Sequence, residues 1–346
     1  MNSSWPPFRA LRLALAGLAV ILATSAPASG GEPTAAELFA RHLETRAKRR
    51  SYRYVLECST ALEARYTGEP YQEKSGHSRS FEWTEFRTDG QRYSVRTRHW
   101  GNVKSTTDFL PEDRCPYNSL LWDGNVLFMV VATTDTPGRV EMDTRRNLQR
   151  YRELILQRQT LLWHWPGPDL ERQLLTAGHL QLRPAKERAG ASDCQVIEGR
   201  TSDAHYLLWL DPARGCNLVK ARMWDRQGSM SNALDQVVCK EDGGIWIPME
   251  GVMTRSRLYA NGDYERGVHQ LRITALTMNP DHEALRSFFP DDIRNGAWVQ
   301  INPSVGDRFN PRNLPVWQDG KVVARDGRIL MDLSGHLQRA HPNQDF

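Results

Sequence analysis

The sequence predicts an α+β protein: a large curved antiparallel sheet, an open half-barrel, covered by an N-terminal helix and short mid-chain helices. Three observations predict it. Apolar and aromatic residues alternate with polar ones in a long succession of short runs, as half-buried strands require. Turn signals made of Gly, Pro, Asn and Asp separate those runs at even spacing from residue 180 onward, which argues for antiparallel neighbours in one curved sheet. A single amphipathic helix pattern stands ahead of the strands. Eleven Trp, ten Tyr and ten Phe in 346 residues add a composition that suits β structure.

Residues 1–28 read as a secretory signal peptide. Arg9 and Arg12 supply the positive start, Leu11 to Leu22 the apolar stretch, and Ala26-Pro27-Ala28 the small residues at a cleavage site. The uninterrupted apolar run is short against the roughly 20 residues a spanning helix needs. No Cys follows it, so a lipid-anchored product is not expected. No later segment is long and apolar enough to span as a helix. The expectation is an exported chain, periplasmic or extracellular and not membrane-spanning once the leader is removed. Residues 29–302 are then the half-barrel domain, and residues 303–346 a Pro/Gly-rich C-terminal extension with a small hairpin, loosely attached.

The helix is expected over Thr34 to Arg50. Thr34 is a suitable N-cap with Glu37 three residues on, a capping box, and Leu38, Phe39, His42, Leu43 and Arg46 share a stripe. Arg46-Ala47-Lys48-Arg49-Arg50 is the densest basic cluster and reads as a solvated helix end complementing the helix dipole. The formal charge is only +4, and basic residues are otherwise spread along the chain, so no nucleic-acid footprint is expected.

Strands are expected over Tyr52 to Cys58, Phe81 to Glu85, Tyr93 to Trp100, Leu120 to Trp122 and Val126 to Ala132. Thr144 to Gln159 and Leu170 to Ala177 read as mid-chain helices. Strands resume at Leu180 and continue over Cys194–Gly199, His205–Leu210, Leu218–Trp224, Asn232–Lys240, Ile245–Tyr259 and Tyr264–Met278. A short helix over Asp281 to Phe288 closes the series.

Tyr206-Leu207-Leu208-Trp209-Leu210-Asp211-Pro212-Ala213-Arg214-Gly215, running into Leu218-Val219-Lys220-Ala221-Arg222, is a strand, an Asp-Pro turn and a returning strand. Pro212 fixes φ, Asp211 can accept from backbone amides ahead, and Gly215 tolerates positive φ. Ile245-Trp246-Ile247-Pro248 opens another long strand. With the leader, the helix and the meander, this order resembles the LolA/LolB-type superfamily and its outer-membrane lipoprotein-sorting relatives over roughly Thr34 to Asn302. The resemblance implies a non-enzymatic binder of apolar ligands, a lipid or a lipoprotein acyl chain. No arginine here aligns with the residue that controls opening in the minimal carriers, so no such role is carried over.

A concave sheet face must be covered by helices or by a ligand. Phe81, Trp83, Leu207, Trp209, Val219, Ala221, Met223, Val237, Ile247, Met249 and Met253 are the candidates for that face, and flexible Met suits acyl chains. The same residues would equally make an ordinary core against the helix. An envelope or surface protein-interaction module on the same scaffold is the alternative function, with an extracytoplasmic hydrolase behind it. The catalytic patterns GxSxG, HExxH, SxxK, GxxxxGK[ST] and GxGxxG are missing from the sequence, and no cofactor or metal is expected. Trp163-His164-Trp165 reads as a core edge before a ligand platform, and Asp291-Asp292 as a helix start or solvated loop. Glu82 and Glu85 point to opposite faces of a strand. Five cysteines remain after the leader: Cys58, Cys115, Cys194, Cys216 and Cys239. The odd count leaves at least one unpaired within the chain, and the sequence leaves the pairing open.

Overall fold

The computed structural model describes residues 32–68, 71–101, 116–133, 136–144, 174, 180–303 and 313–334. The leader, Cys115, Trp163-His164-Trp165 and nearly all of the two expected mid-chain helices lie outside those residues.

Helix α1 (Ala35–Ala47) begins where expected. The capping box forms, with Thr34 N donating to Glu37 Oε2 at 2.8 Å and Glu37 N to Thr34 Oγ1 at 3.2 Å. Strands follow in order: β1 (Tyr52–Gly68), β2 (Tyr71–Thr88), β3 (Tyr93–Gly101), β4 (Tyr117–Trp122), β5 (Leu127–Thr133) and β6 (Thr136–Asp143). After the mid-chain come β7 (Leu180–Leu182), β8 (Glu187–Ala189), β9 (Ser192–Arg200), β10 (Ala204–Asp211), β11 (Asn217–Asp225), β12 (Met230–Asp242), β13 (Ile245–Leu258) and β14 (Tyr264–Met278). The end of the described chain adds β15 (Trp298–Ile301), β16 (Val316–Gln318), β17 (Lys321–Val323) and β18 (Ile329–Asp332).

These strands form one open sheet. β1 lies in its middle, antiparallel to β2 on one side and to β14 on the other. From β2 the meander runs outward through β3, β4 and β5 to β6. From β14 it runs the other way through β13, β12, β11 and β10 to β9, which also carries β7 and β8. Bulges at Val55/Leu56, Trp209/Leu210, Met223/Trp224 and Asp235/Val238 interrupt the ladders. Each adds bend and right-handed twist, so this meander curves as expected.

One long crossover sets the remaining topology. After β14 the chain passes over the face opposite α1 and delivers β15 to the far edge, where it pairs in parallel with β6. Arginines on β2 and β3, and the turn between them, hold the crossing segment. Arg87 donates to the Leu285 carbonyl at 3.1 Å, Arg92 to Glu283 at 3.0 Å, and Arg96 pairs with Asp291. Tyr117 Oη donates to Asp292 at 2.6 Å. The Asp291-Asp292 pair is therefore a docking loop rather than a helix start or a solvated stretch.

Several expectations need correction. Asp281 to Phe288 forms successive turns, not a helix. Asp281 begins like a cap, accepting from Glu283 N and Ala284 N, but Arg286 at φ +47° turns the chain out of the helical path. The basic run after α1 is not fully solvated: Arg49 is buried and bonded to Asn217 and to the Trp246 carbonyl. Strand β1 continues past Cys58 because β14 pairs with it as far as Arg65 and β2 as far as Gly68. Past Cys58, Ser59, Ala61, Leu62 and Glu63 are exposed and Ala64 is buried, so the alternation of the first half is not continued. β6, β8 and β15 were not expected at all; they are short, or edge strands carrying mixed polar residues.

The loose attachment of the tail is also corrected for residues 313–334. Two tight turns join β16, β17 and β18. Trp317 and Val322 are buried in a core with Leu121, Phe128, Val130, Val140, Met142, Phe288 and Val299. The Phe128 and Trp317 rings meet edge-on at 6.3 Å. Trp317→Ala should therefore lower unfolding free energy by about 3–5 kcal/mol in urea titration of the full chain. A change within about 0.5 kcal/mol, the range of ordinary surface substitutions, would mean the hairpins hang free.

Candidate functional site

The register decides which candidate residues share a face. On β1 the residues Tyr52, Tyr54, Leu56 and Cys58 point toward α1, and opposite them on β2 stand Phe86, Thr84 and Glu82. This inner face continues through Val95 on β3, Leu120 and Trp122 on β4, and Leu127 on β5. In the other direction it continues through Leu271 and Ile273, Met253 and Ile247, Leu234, Ala221 and Leu218, then Tyr206, Leu208 and Leu210, then Ile197. Helix α1 inserts Ala35, Leu38 and Phe39 into the same cluster, and Leu174 joins it from the mid-chain. Gly199 leaves room for Leu174, whose Cδ2 would lie 2.8 Å from a Cβ there.

Of the eleven candidates, six belong to this inner cluster. Ala221, Ile247 and Met253 are fully buried in it, while Met223, Val237 and Met249 are partly buried against it. Three others face away. Leu207 pairs with Arg222 and Trp209 with Lys220, whereas Leu208 pairs with Ala221. Leu207, Trp209 and Val219 thus form a second cluster on the opposite face, with Cys194 and Val196. There Lys220 lies over the Trp209 ring at 4.5 Å, and Trp209 Nε1 donates to Glu187 at 2.9 Å. Val219 joins them because the bulge at Trp209/Leu210 shifts the alternation of β11 by one residue. Val237 touches both clusters, next to Gln236 at φ +52°.

Phe81 and Trp83 also face outward, opposite Ser59 and Glu57 on β1. Phe81 packs on Trp100 with ring centroids 5.5 Å apart, and Arg98 lies over Trp83 at 5.4 Å. On the same face Glu85 is buried between Arg53 at 2.6 Å and Arg87 at 3.0 Å. Burial raises its pKa, but the two guanidiniums outweigh that and hold it below the ordinary carboxylate value. Glu82 and Glu85 do lie on opposite faces, as expected.

Sequence reasoning missed part of the inner lining. Met129 and Met278 are partly buried against the inner cluster beside Met223 and Met249. It also missed the polar end. There the Asp211–Gly215 turn forms as read: Asp211 accepts from Ala213 N at 3.0 Å, and Gly215 sits at φ +67°. A Cβ on Gly215 would meet Thr45 Oγ1 at 3.2 Å, so this position requires Gly for both conformation and space. Thr45 Oγ1 donates to the Gly215 carbonyl at 2.7 Å, His42 Nδ1 lies 3.0 Å from the Cys216 carbonyl, and Arg49 reaches Asn217 and Trp246. One turn of one hairpin therefore receives three side chains of α1 and its C-terminal flank. The visible signal was His42 following Leu38 and Phe39 in the stripe.

Electrostatics at this end follow from burial. Burial, then the charges of Arg46 and Arg49, push His42 down to about 3. Burial also lowers Arg46 and Arg49 to about 10 and raises the Tyr52 and Tyr54 hydroxyls above their ordinary value. Farther along the inner face His269 is pushed to about 4 by burial and by Arg255, and its Nδ1 lies 2.9 Å from Thr60 Oγ1. The Cys58 thiol is pushed up to about 11, mainly by burial, which leaves it a poor nucleophile. Among the described residues no group of three or more His, Cys, Asp or Glu could hold a metal ion. Cys58, Cys194, Cys216 and Cys239 carry no disulfide among these residues. No helix of the described residues is long and apolar enough to cross a membrane.

No protein-family model matches the chain, and no curated protein matches it. Among solved structures it is similar to a DUF1329 family protein from Desulfovibrio piger, with 11% identity and a TM-score of 0.38 over 75% of this chain and 98% of that one. It is similar to a domain from Vibrio parahaemolyticus described as outer membrane lipoprotein-sorting, with 14% identity and a TM-score of 0.34 over 70% and 92%. A LolA superfamily protein from Nitrosomonas europaea is matched with 13% identity and a TM-score of 0.32 over 75% and 99%. Function has to be argued from this chain's own residues.

The two neutral histidines give the inner face a pH signature. Unfolded, each imidazole takes a proton near its ordinary value of 6.5; folded, it resists down to about 3 or 4. Below pH 6.5 the unfolded state therefore binds more protons, and stability falls as pH falls. The slope reaches about 1.4 kcal/mol per pH unit per imidazole between the two values. Urea titrations from pH 7 to pH 4 should show this loss, and His269→Gln should remove part of it. An unchanged slope in the variant would show that His269 is protonated in the fold.

Proposed function

We propose that the chain is an exported, non-enzymatic protein that binds a lipid, or the acyl group of a lipoprotein, on the inner face of its curved sheet. One observation carries this reading. Five of the nine methionines, Met129, Met223, Met249, Met253 and Met278, come from four different strands to the inner cluster, and four of them are only partly buried. A core meant only to be filled favours residues with few rotamers, such as Leu, Ile and Val. Unbranched, polarizable Met side chains instead adapt to a chain without fixed shape. The apolar side chains of the cluster suit an acyl chain, and the Cys58 thiol, pushed up to about 11, is no activated nucleophile.

Export is part of the proposal and rests on Arg9, Arg12, the apolar stretch and the Ala26-Pro27-Ala28 site. Periplasmic or extracellular delivery would bring the protein to lipid-bearing envelope surfaces.

A fluorescent probe such as N-phenyl-1-naphthylamine tests the assignment. The full chain should bind it with a blue shift, and fatty acyl compounds should displace it. Met249→Lys places an ammonium at a partly buried position and should weaken binding about tenfold or more, as burying an unpaired charge costs several kcal/mol. Leu207→Lys, on the opposite face, should leave the affinity within about twofold where the fold is retained. Equal effects from the two faces would remove the inner face as the binding surface.

A further inference from the structure

The inner cluster has a polar pole, and its geometry says what chemistry would complete it. His42 lies on the buried stripe of α1 with Ala35, Leu38 and Phe39, and is 4% exposed. Its ring stacks beside Phe39 with centroids 6.0 Å apart. The Cys216 carbonyl, 3.0 Å from Nδ1, can only accept, so Nδ1 carries the proton. Nε2 is then a lone-pair acceptor. It is buried and has no hydrogen-bond partner among the described residues, although most buried polar atoms have one.

The surroundings narrow the choice of group. Phe39 and Cys216 belong to the apolar inner cluster, so the ring stands at its edge. The charges acting on His42 are the guanidiniums of Arg46 and Arg49. Tyr52 is acted on by the same two cations and pairs with Met278, which is part of the methionine lining. The pole is therefore continuous with the proposed acyl surface. A carboxylate has no proton to give Nε2, and a methyl ester or ether has none either. A hydroxyl has a proton to donate to Nε2.

We propose that His42 Nε2 receives the hydroxyl at the polar end of a bound lipid, so that the site selects an O–H donor attached to an aliphatic chain. The inference rests on the acyl-binding reading above and names the head chemistry for it. An isolated ordered water at Nε2 is the competing occupant, and the test separates the two.

The full-length protein is loaded with N-phenyl-1-naphthylamine and titrated with 1-dodecanol or with dodecyl methyl ether, which differ in the O–H. The alcohol should displace the probe at roughly tenfold lower concentration, the scale of one hydrogen bond to an otherwise orphaned acceptor. In His42→Leu the two compounds should become equal, with the ether unchanged within about twofold. The wild-type comparison stands alone if the leucine variant does not fold, and His42→Phe offers a second ring without nitrogen. Equal affinities in the wild type, as for a water-filled position, overturn the hydroxyl assignment and leave chain binding intact. So does an alcohol preference that survives in both variants. Failure of both compounds to displace the probe overturns the acyl-binding reading itself.

Discussion

The structure depends on the clasp between α1 and the turn that joins β10 to β11. An open sheet exposes one apolar face unless something lies across it, and here a helix of 13 residues does so. Three hydrogen-bonding side chains, His42, Thr45 and Arg49, fix that helix to Gly215, Cys216, Asn217 and the Trp246 carbonyl. Asn217 also donates to Arg214 O at 2.7 Å and Trp246 O at 3.0 Å, so the turn is braced before the helix arrives. A buried guanidinium is costly unless bonded, and the clasp bonds it. Polar contacts set the helix position, and Leu38 and Phe39 then supply the burial.

The second constraint is that both faces of the sheet are used. The inner face holds α1 and the methionines. On the outer face the crossing segment, residues 281–293, is held by Arg87, Arg92, Arg96 and Tyr117, and it leads β15 to the edge beside β6. The hairpins of β16 to β18 then complete a core over β4 to β6. A buried Glu85 between Arg53 and Arg87 anchors this side. The outer face is thus occupied largely by the chain itself over β2 to β6. The partly buried apolar side chains of the inner face are where a ligand has most to gain.

Much of this was legible in the sequence. The capping box of Thr34 and Glu37, the Asp211-Pro212 turn and the strands from Cys194 to Met278 all depend on local chemistry, and all appear. What was not legible depends on register. A single bulge at Trp209/Leu210 places Val219 and Lys220 on one face, and no local pattern announces it. The assumption that aromatic residues point inward misplaced Phe81, Trp83 and Trp209. The outer face has its own cores, so hydrophobicity alone could not choose between the two sides. Arg49 read as solvated because its partners, Asn217 and Trp246, are 168 and 197 residues away. His42 stood in plain view within the stripe, but that its Nε2 lacks a partner among the described residues is a fact of tertiary structure.

The most direct measurement is native mass spectrometry of the full-length protein purified without detergent, with solvent extraction of the same sample. Acyl binding on the inner face requires a population carrying an added lipid mass, with a hydroxyl-bearing lipid recovered in the extract. A single ligand-free mass, with an extract that contains no lipid and no binding when lipid is added back, would contradict it.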